Sequence, residues 1–211
     1  SFRNRIQVYT MILDTIRSLA WTDFFLYSLT DPRELYRRIK QKEPESFALS
    51  FFVPVLAVLS DILALSLIGK ETGFFYYKMS YGLIFLVIYT LLKIFLYSSL
   101  VDVTAQFFGY RGNIKEIITV TNFSMFPKIF ILPCLYIFAI TDFAAGFFYV
   151  FLSIAFFIWY VMILVQGFSE MHCVKFGESF LIFVLPAITA CIVLFLMLVL
   201  LLMTVMGFIS V

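Results

Sequence analysis

Five long apolar runs alternate with short polar turns along most of the chain. They extend over residues 47–68, 79–108, 114–140, 147–168 and 180–211. A hydrocarbon core about 30 Å thick is crossed by about 20 helical residues, so each run is long enough to span a bilayer. Because the turns between them are short, consecutive helices must run antiparallel. The pattern predicts an all-α, polytopic membrane protein with a bundle of five transmembrane helices.

The apolar stretch at residues 6–29 differs from these runs because it carries charges. It contains Asp14, Arg17 and Asp23. Each of them would cost about 2.5–3.5 kcal/mol near the centre of a spanning helix. We therefore predict that this stretch forms a helix that lies in the membrane interface or packs under the bundle, and that it is not a sixth span.

A short basic helix is predicted over residues 32–42, just before the first span. Asp31 is of a type that caps helix N-termini, and Pro32 suits the first helical turn because it has no N–H to satisfy. The basic side chains are Arg33, Arg37, Arg38, Lys40 and Lys42. Two interpretations stay open. The helix is solvated, or it contacts a partner protein or anionic lipid headgroups, to which each basic residue near the surface adds about 1 kcal/mol.

Composition supports a membrane protein and excludes other classes. Hydrophobic residues make up 63% of the chain and charged residues 13%, whereas a soluble domain is about half apolar and about a quarter charged. The mean hydropathy is +1.04. A net charge of only +2 provides no broad basic surface, so no nucleic-acid partner is predicted. The expected partner is the lipid bilayer.

Basic residues are distributed unequally between the two sides of the predicted bundle. We divide the chain into an N-terminal segment of amphipathic and basic helices, residues 1–45, and a transmembrane domain, residues 46–211. Eleven of the 15 basic residues lie on the side of the N-terminal segment, and only Lys70 and Lys78 lie on the other. Since basic loops stay on the cytoplasmic side, this predicts a cytoplasmic N-terminus.

Three charged residues fall inside the predicted spans: Asp61, Lys93 and Lys128. The two lysines share a depth near the middle of the second and third spans, by a rise of about 1.5 Å per residue. The spans are also interrupted by Pro54, Pro127, Pro133 and Pro186. Three interpretations stay open: an ion pair between Asp61 and Lys93, lysines that snorkel or bind carbonyls freed by the prolines, and a polar path for transport.

Four polar residues collect at the ends of the second and fourth spans, on the side of the N-terminus. They are Asp102, Gln106, Glu170 and His172. Such side chains can hold a divalent cation or a proton. The alternative is a hydrogen-bonded cluster that satisfies free groups at the helix ends. Because Glu-x-His lacks metalloprotease spacing and a second histidine, we expect no bound cofactor, with a divalent metal as the alternative.

Recognisable catalytic motifs are absent from the sequence. It contains no Gly-x-Ser-x-Gly elbow, no phosphate-binding glycine loop and no His-Glu-x-x-His. These motifs identify hydrolases, nucleotide-binding proteins and zinc proteases by the chemistry that their residues supply. The sequence therefore predicts a protein that is not an enzyme.

Two motifs resemble the Yip1 domain family. The first is FFGYRGNIKE at residues 107–116, followed by Thr119, Asn122, Phe123, Ser124 and Pro127. The second is VQGFSEMH at residues 165–172, followed by Lys175, Phe176, Gly177 and Pro186. They are similar to the central signature of the family and to the junction of its fourth and fifth helices, and the upstream Asp31-Pro32 helix also fits.

This resemblance implies a five-helix integral membrane protein with a cytosolic N-terminus and no established catalytic residues. Eukaryotic members are Golgi and endoplasmic reticulum proteins associated with vesicle trafficking and Rab GTPases. The chain lacks the long polar extension that precedes their first span, so we expect a bacterial cytoplasmic membrane, and the Golgi or endoplasmic reticulum if it is eukaryotic. The expected function is organisation of membrane or partner proteins. The alternative is transport of an ion or small solute past Lys93 and Lys128.

Overall fold

The five apolar runs form five helical spans. A computed structural model describes residues 22–68, 79–140 and 144–209. The spans are Glu45–Ile68, Gly82–Phe107, Ile114–Ile140, Ala145–His172 and Phe176–Met206. They agree with the predicted bounds to within about one helical turn. The predicted all-α, multi-pass membrane fold is confirmed.

The helices are numbered in chain order. They are α1 (Thr22–Thr30), α2 (Pro32–Gln41), α3 (Glu43–Ser50), α4 (Phe52–Ile68), α5 (Met79–Phe107), α6 (Ile114–Ser124), a 3-10 helix (Phe126–Phe130), α7 (Ile131–Ile140), α8 (Ala145–His172) and α9 (Phe176–Ile209). The first span comprises α3 and α4, and the third comprises α6, the 3-10 helix and α7. Most of the charged stretch at residues 6–29 lies outside the described residues.

The basic helix α2 forms where the sequence places it. The Asp31 carboxylate accepts hydrogen bonds from two backbone N–H groups of the first turn, a cap whose loss typically costs about 1 kcal/mol. Leu35, Tyr36 and Ile39 are buried where α2 packs on α6 and α8. In water, burial of side chains of this size stabilises by about 1.5–3 kcal/mol each. The helix is therefore docked firmly on the bundle.

Helix α1 packs against the side of the third span. The Phe24 ring stacks on the Phe123 ring, with centroids 5.5 Å apart, and the Phe25 and Phe126 centroids are 5.0 Å apart. Phe123 lies nine residues into the third span, about 14 Å along its axis. The described part of this stretch, residues 22–29, therefore packs against the side of the bundle.

The third span is the centre of the bundle. All eight residues from Ile117 to Ser124 are buried, because α6 contacts α2, α3, α5 and α8. Helix α8 approaches α6 closely at Gly167, where a Cβ atom would lie 2.6 Å from Val120 Cγ1. Small residues permit such close approach of membrane helices.

Backbone groups that proline leaves without a partner in the third span are hydrogen-bonded by a side chain of a neighbouring helix. Pro133 has no N–H for the Ile129 carbonyl, four residues earlier. The Ser60 hydroxyl of α4 donates to that carbonyl at 2.9 Å and accepts from the Leu132 N–H at 3.3 Å. Within a bilayer no water would satisfy these groups. Ser60 therefore stabilises the 3-10 segment that contains Pro127.

The other span prolines lie at different points in their helices. Pro54 is in the first turn of α4, so the first span breaks at Phe51 and not at its centre. Pro186 is inside α9. Just before it, the Tyr97 hydroxyl of α5 donates to the Phe183 carbonyl. A side chain of one span thus binds the backbone of another beside a proline.

The fifth span packs only at its beginning. Ser179, Ile182, Phe183 and Pro186 are buried against α5 and α8. From Ala187 to Met206 every side chain is exposed, apart from a half-buried Val199. The predicted lipid-facing tail at residues 194–202 agrees with this exposure.

Candidate functional site

Helix α2 is attached across the ends of α6 and α8 by two carboxylates. We call this end of the bundle, formed by α2 and the turns at residues 108–113 and 173–175, the basic end. The Tyr36 hydroxyl donates to Glu116 Oε2 at 2.7 Å. The Arg37 guanidinium donates from Nε and Nη2 to Glu170 Oε1, at 3.2 and 3.1 Å. These bonds hold α2 in one position relative to two spans.

The Tyr36 phenol has a pKa above that of a free tyrosine, so it stays protonated over a wider pH range. Burial is the main cause that raises the pKa of Tyr36, and the hydrogen bond to the Glu116 carboxylate raises it further. The hydroxyl therefore remains a donor. Glu116 Oε1 accepts a second bond from Asn113 Nδ2, at 2.8 Å, so both carboxylate oxygens are engaged.

Arg38 connects α2 to α1. Its Nη1 lies 2.6 Å from Asp23 Oδ2, and its Nη2 donates to the Tyr27 hydroxyl at 3.2 Å. Its guanidinium carbon is also 4.5 Å from the centroid of the Tyr27 ring. A further ion pair joins it to Glu34 at 3.3 Å. Arg38 is thus occupied by contacts within the protein.

The remaining basic residues of α2, and Lys42 at its C-cap, are exposed. Arg33, Lys40 and Lys42 are all on the surface, and Arg33, Arg37 and Lys40 share one helix face by their spacing of four and seven. A cleft of about 350 Å³ opens beside them. It is lined by Tyr36, Arg37, Lys40, Gln41 and Glu170. Both of the predicted roles, solvated helix and contact surface, are compatible with this exposure.

Only two members of the predicted polar cluster bind each other. Gln106 Nε2 donates to Asp102 Oδ2 at 2.8 Å. Both side chains pack against Gly112, where a Cβ atom would lie 2.1 Å from Asp102 Oδ1. Glycine is required there because the turn folds back onto α5. The turn begins at Gly109, whose φ of 84° is in the left-handed region that closes a helix C-terminus.

Glu170 and His172 have different surroundings. Glu170 binds Arg37, as described above, whereas the His172 ring lies 5.5 Å from the Tyr110 ring and 6.4 Å from the Phe168 ring, between centroids. Among residues 22–68, 79–140 and 144–209, no three His, Cys, Asp or Glu side chains are grouped so that they could hold a metal ion. Asp102 lies within electrostatic range of His172, whereas Glu170 is bound by Arg37, so the structure divides the predicted cluster into two parts.

Sequence reasoning missed Tyr36, Asn113 and Glu116 as parts of the site. The signal was present, because Asn113 precedes α6 and Glu116 is its third residue. This N-cap-to-N3 spacing, the same as in a capping box, puts the two side chains within reach of each other, and here they bind each other and not the backbone. The Tyr36 partner was not predictable in this way, because 80 residues separate Tyr36 from Glu116.

The three span charges occupy different environments. Lys128 Nζ lies 5.3 Å from the centroid of the Tyr160 ring. Asp61 is half-buried and within electrostatic range of both lysines, with Lys128 exerting the larger effect. In the part of the chain that the structure describes, every ion pair within 4.0 Å involves Arg37 or Arg38. The predicted pair of Asp61 and Lys93 is therefore not formed.

Lys93 lies on the outer surface of α5 and is exposed. It is part of a groove of about 280 Å³ along that helix. The groove is lined by Tyr89, Leu92, Lys93, Leu96, Tyr97 and Leu100. Lys93 thus points away from a path through the bundle.

Comparison with known proteins supplies one match. The family model of the Yip1 domain matches residues 26–209, which include most of α1 and all of the helices from α2 to α9. No curated protein and no solved structure matches the chain. The matched range contains the basic end and all five spans.

Proposed function

The chain belongs to the Yip1 domain family, and from this premise we propose that it is a non-enzymatic membrane protein that organises membranes or partner proteins through α2. The observation that carries the proposal is that the basic residues of α2 and of its C-cap fall into two groups with different contacts. Arg37 and Arg38 bind carboxylates of the protein itself. Arg33, Lys40 and Lys42 are exposed and are free to meet an anionic surface.

Because α2 is docked on the bundle, less entropy is lost when its basic residues bind an anionic surface. Its buried apolar side and its bonds to Glu116 and Glu170 order the helix before it binds. A preordered surface loses less conformational entropy on binding than a flexible tail. Each basic residue near an anionic membrane contributes about 1 kcal/mol, so three would strengthen binding by roughly two orders of magnitude.

The experiment uses the full chain in phosphatidylcholine nanodiscs and measures its co-sedimentation with phosphatidylserine vesicles. Neutralising the exposed α2 charges, Arg33→Gln with Lys40→Gln and Lys42→Gln, is expected to weaken binding by roughly 100-fold. The matched control neutralises three other exposed basic residues on the same side of the bundle: Arg111 and Lys175 in the two turns of the basic end, and Lys115 in the first turn of α6. Equal losses in both triple variants, or no loss in either, would remove the basis for a specific role of α2.

We further propose that the basic end is cytoplasmic and that the protein resides in a bacterial cytoplasmic membrane. The uneven distribution of basic residues supports this orientation. Cys173 is exposed in one of the turns of the basic end, so chemical labelling of its thiol shows on which side of the membrane the basic end lies. A membrane-impermeant maleimide should label inside-out vesicles and not intact cells, and Cys173→Ser should abolish the labelling. Labelling of intact cells would reverse the orientation.

Transport is the second candidate function. It is favoured by one observation, the electrostatic interaction of Asp61 with Lys128, which lies in the broken part of the third span. A transporter would need these charges for flux. Ion flux into proteoliposomes should then fall when Lys128→Met is introduced, whereas Lys93→Met, at an exposed position, should leave it unchanged. Flux that equals that of protein-free vesicles, for the unmodified chain, would reject this candidate.

A further inference from the structure

The charges at the middle of the membrane do not balance. Lys93 and Lys128 lie within two residues of the centres of their spans, and the nearest span carboxylate, Asp61, lies about 7 Å from the centre of its own span by the helical rise. The other acidic residues of the described spans, Glu45, Asp102, Glu116, Glu170 and Glu178, lie near span ends. One positive charge is therefore in excess at a depth where a charge is costly and normally has a partner.

The positive charge of Lys128 is compensated by neighbouring groups of the protein itself. Its ammonium lies over the Tyr160 ring, an attraction worth about 0.5–2 kcal/mol. It also exerts the larger electrostatic effect on Asp61. Lys93 has neither a ring contact nor an ion pair within the described residues, and it is exposed on α5. The excess charge is thus that of Lys93.

The surface around Lys93 has the form of a helix-docking groove. Tyr89, Leu92, Leu96 and Leu100 are each about half exposed, and with Lys93 they follow one side of α5. From residue 89 to residue 100 the groove extends about 16 Å, or three helical turns. Its walls are apolar apart from the lysine at its middle. A second transmembrane helix would fit along it and cover the ammonium group.

We propose that this groove binds a transmembrane helix of a partner protein that carries a carboxylate at mid-depth and pairs with Lys93. Charge complementarity selects this occupant. A second copy of the chain offers no carboxylate nearer to that depth than Asp61, which is off the centre of its span and half-buried within electrostatic range of its own Lys128. Lipid headgroups lie about 15 Å away, half the thickness of the hydrocarbon core, beyond the reach of a lysine side chain. The groove is separate from the basic end, so this site goes beyond the function proposed above.

The test reconstitutes the full, donor-labelled chain in phosphatidylcholine vesicles with an acceptor-labelled polyleucine transmembrane peptide. One version of the peptide carries a central Glu and the other a central Gln. Energy transfer should favour the Glu peptide by about fivefold, within the range measured for interhelical polar contacts. Lys93→Met should abolish this preference, Lys93→Arg should retain it, and Lys128→Met should leave it unchanged.

Three outcomes would overturn the proposal. One is equal transfer to the Glu and Gln peptides with the unmodified chain. Another is a preference that persists in Lys93→Met or disappears in Lys128→Met. The third is transfer between donor- and acceptor-labelled copies of the chain that depends on Lys93, since this would assign the groove to self-association. Because Lys93→Arg preserves the charge, a preference that it retains and Lys93→Met loses is due to the charge and not to the shape of the lysine side chain.

Discussion

The third and fifth spans have opposite relations between hydrophobicity and burial. The fifth is the most hydrophobic of the five spans and the third is the least. Yet a third of the residues in the most apolar window of the third span are buried inside the protein, and none in that of the fifth. Lipid tails are as apolar as leucine, so hydrophobicity does not select the interior. Close approach and polar contacts do, and both are found along the third span.

The largest effect on stability is expected where α8 and α6 approach each other closely, at Gly167. Gly167→Ala inserts a methyl group where Val120 of the third span leaves no room. We expect unfolding in detergent micelles to become easier by about 1–3 kcal/mol, the usual cost of overpacking. Gly177→Ala in α9 is the matched control, because no atom lies within 4 Å of its added Cβ. Equal effects of the two substitutions would contradict the contrast between the spans.

Matched leucines test the role of burial next. Leu135 of α7 is fully buried, whereas Leu198 of α9 is 55% exposed. Leu→Ala costs about 2–5 kcal/mol in soluble cores, but roughly 2.4 kcal/mol of that is transfer from water, which does not apply to helices already in lipid. We therefore expect Leu135→Ala to cost up to about 2.5 kcal/mol and Leu198→Ala less than about 0.5 kcal/mol. A large loss for Leu198→Ala would show that a partner covers the fifth span.

The contribution of the Ser60 hydrogen bonds to the stability of the third span can be tested by comparing Ser60 with Ser66. Ser60→Ala removes the hydroxyl that binds the backbone next to Pro133. Interhelical hydrogen bonds in membranes contribute about 0.6–1.7 kcal/mol, and we expect a loss of stability in this range. The Ser66 hydroxyl binds only the Leu63 carbonyl of its own helix, so Ser66→Ala should change stability little. Equal stability of the Ser60→Ala and Ser66→Ala variants would mean that the Ser60 hydrogen bonds do not stabilise the broken third span.

The ion pair at the basic end should give the smallest effect. Arg37 and Glu170 are partly exposed, so solvent and salt screen their attraction. A double-mutant cycle with Arg37→Gln and Glu170→Gln is expected to give a coupling of about 0.2–1 kcal/mol. This coupling should decrease at high salt, whereas the cost of Gly167→Ala should not. A salt-independent coupling would contradict the exposed geometry.

Local features of the sequence predicted much of the fold. Span length and apolarity belong to each segment by itself, so the five spans were found, and Asp31 with Pro32 placed the start of α2. The polar cluster was less predictable. Glu170 and His172 are two residues apart, which puts them about 200° apart around a helix. Nearness in sequence therefore did not bring their side chains to one point, and Glu170 binds Arg37, 133 residues away.

The sequence by itself determined the number of spans, their lengths and the depth of their charges, since hydrophobicity and the helical rise act along one segment at a time. Only the tertiary structure decided which way each helix faces. It buried the third span, exposed the fifth, placed Ser60 beside a broken backbone and turned Lys93 outward. These outcomes depend on the rotation and register of helices against one another. In a bilayer, small and polar contacts set that packing, because lipid and protein interior are equally apolar.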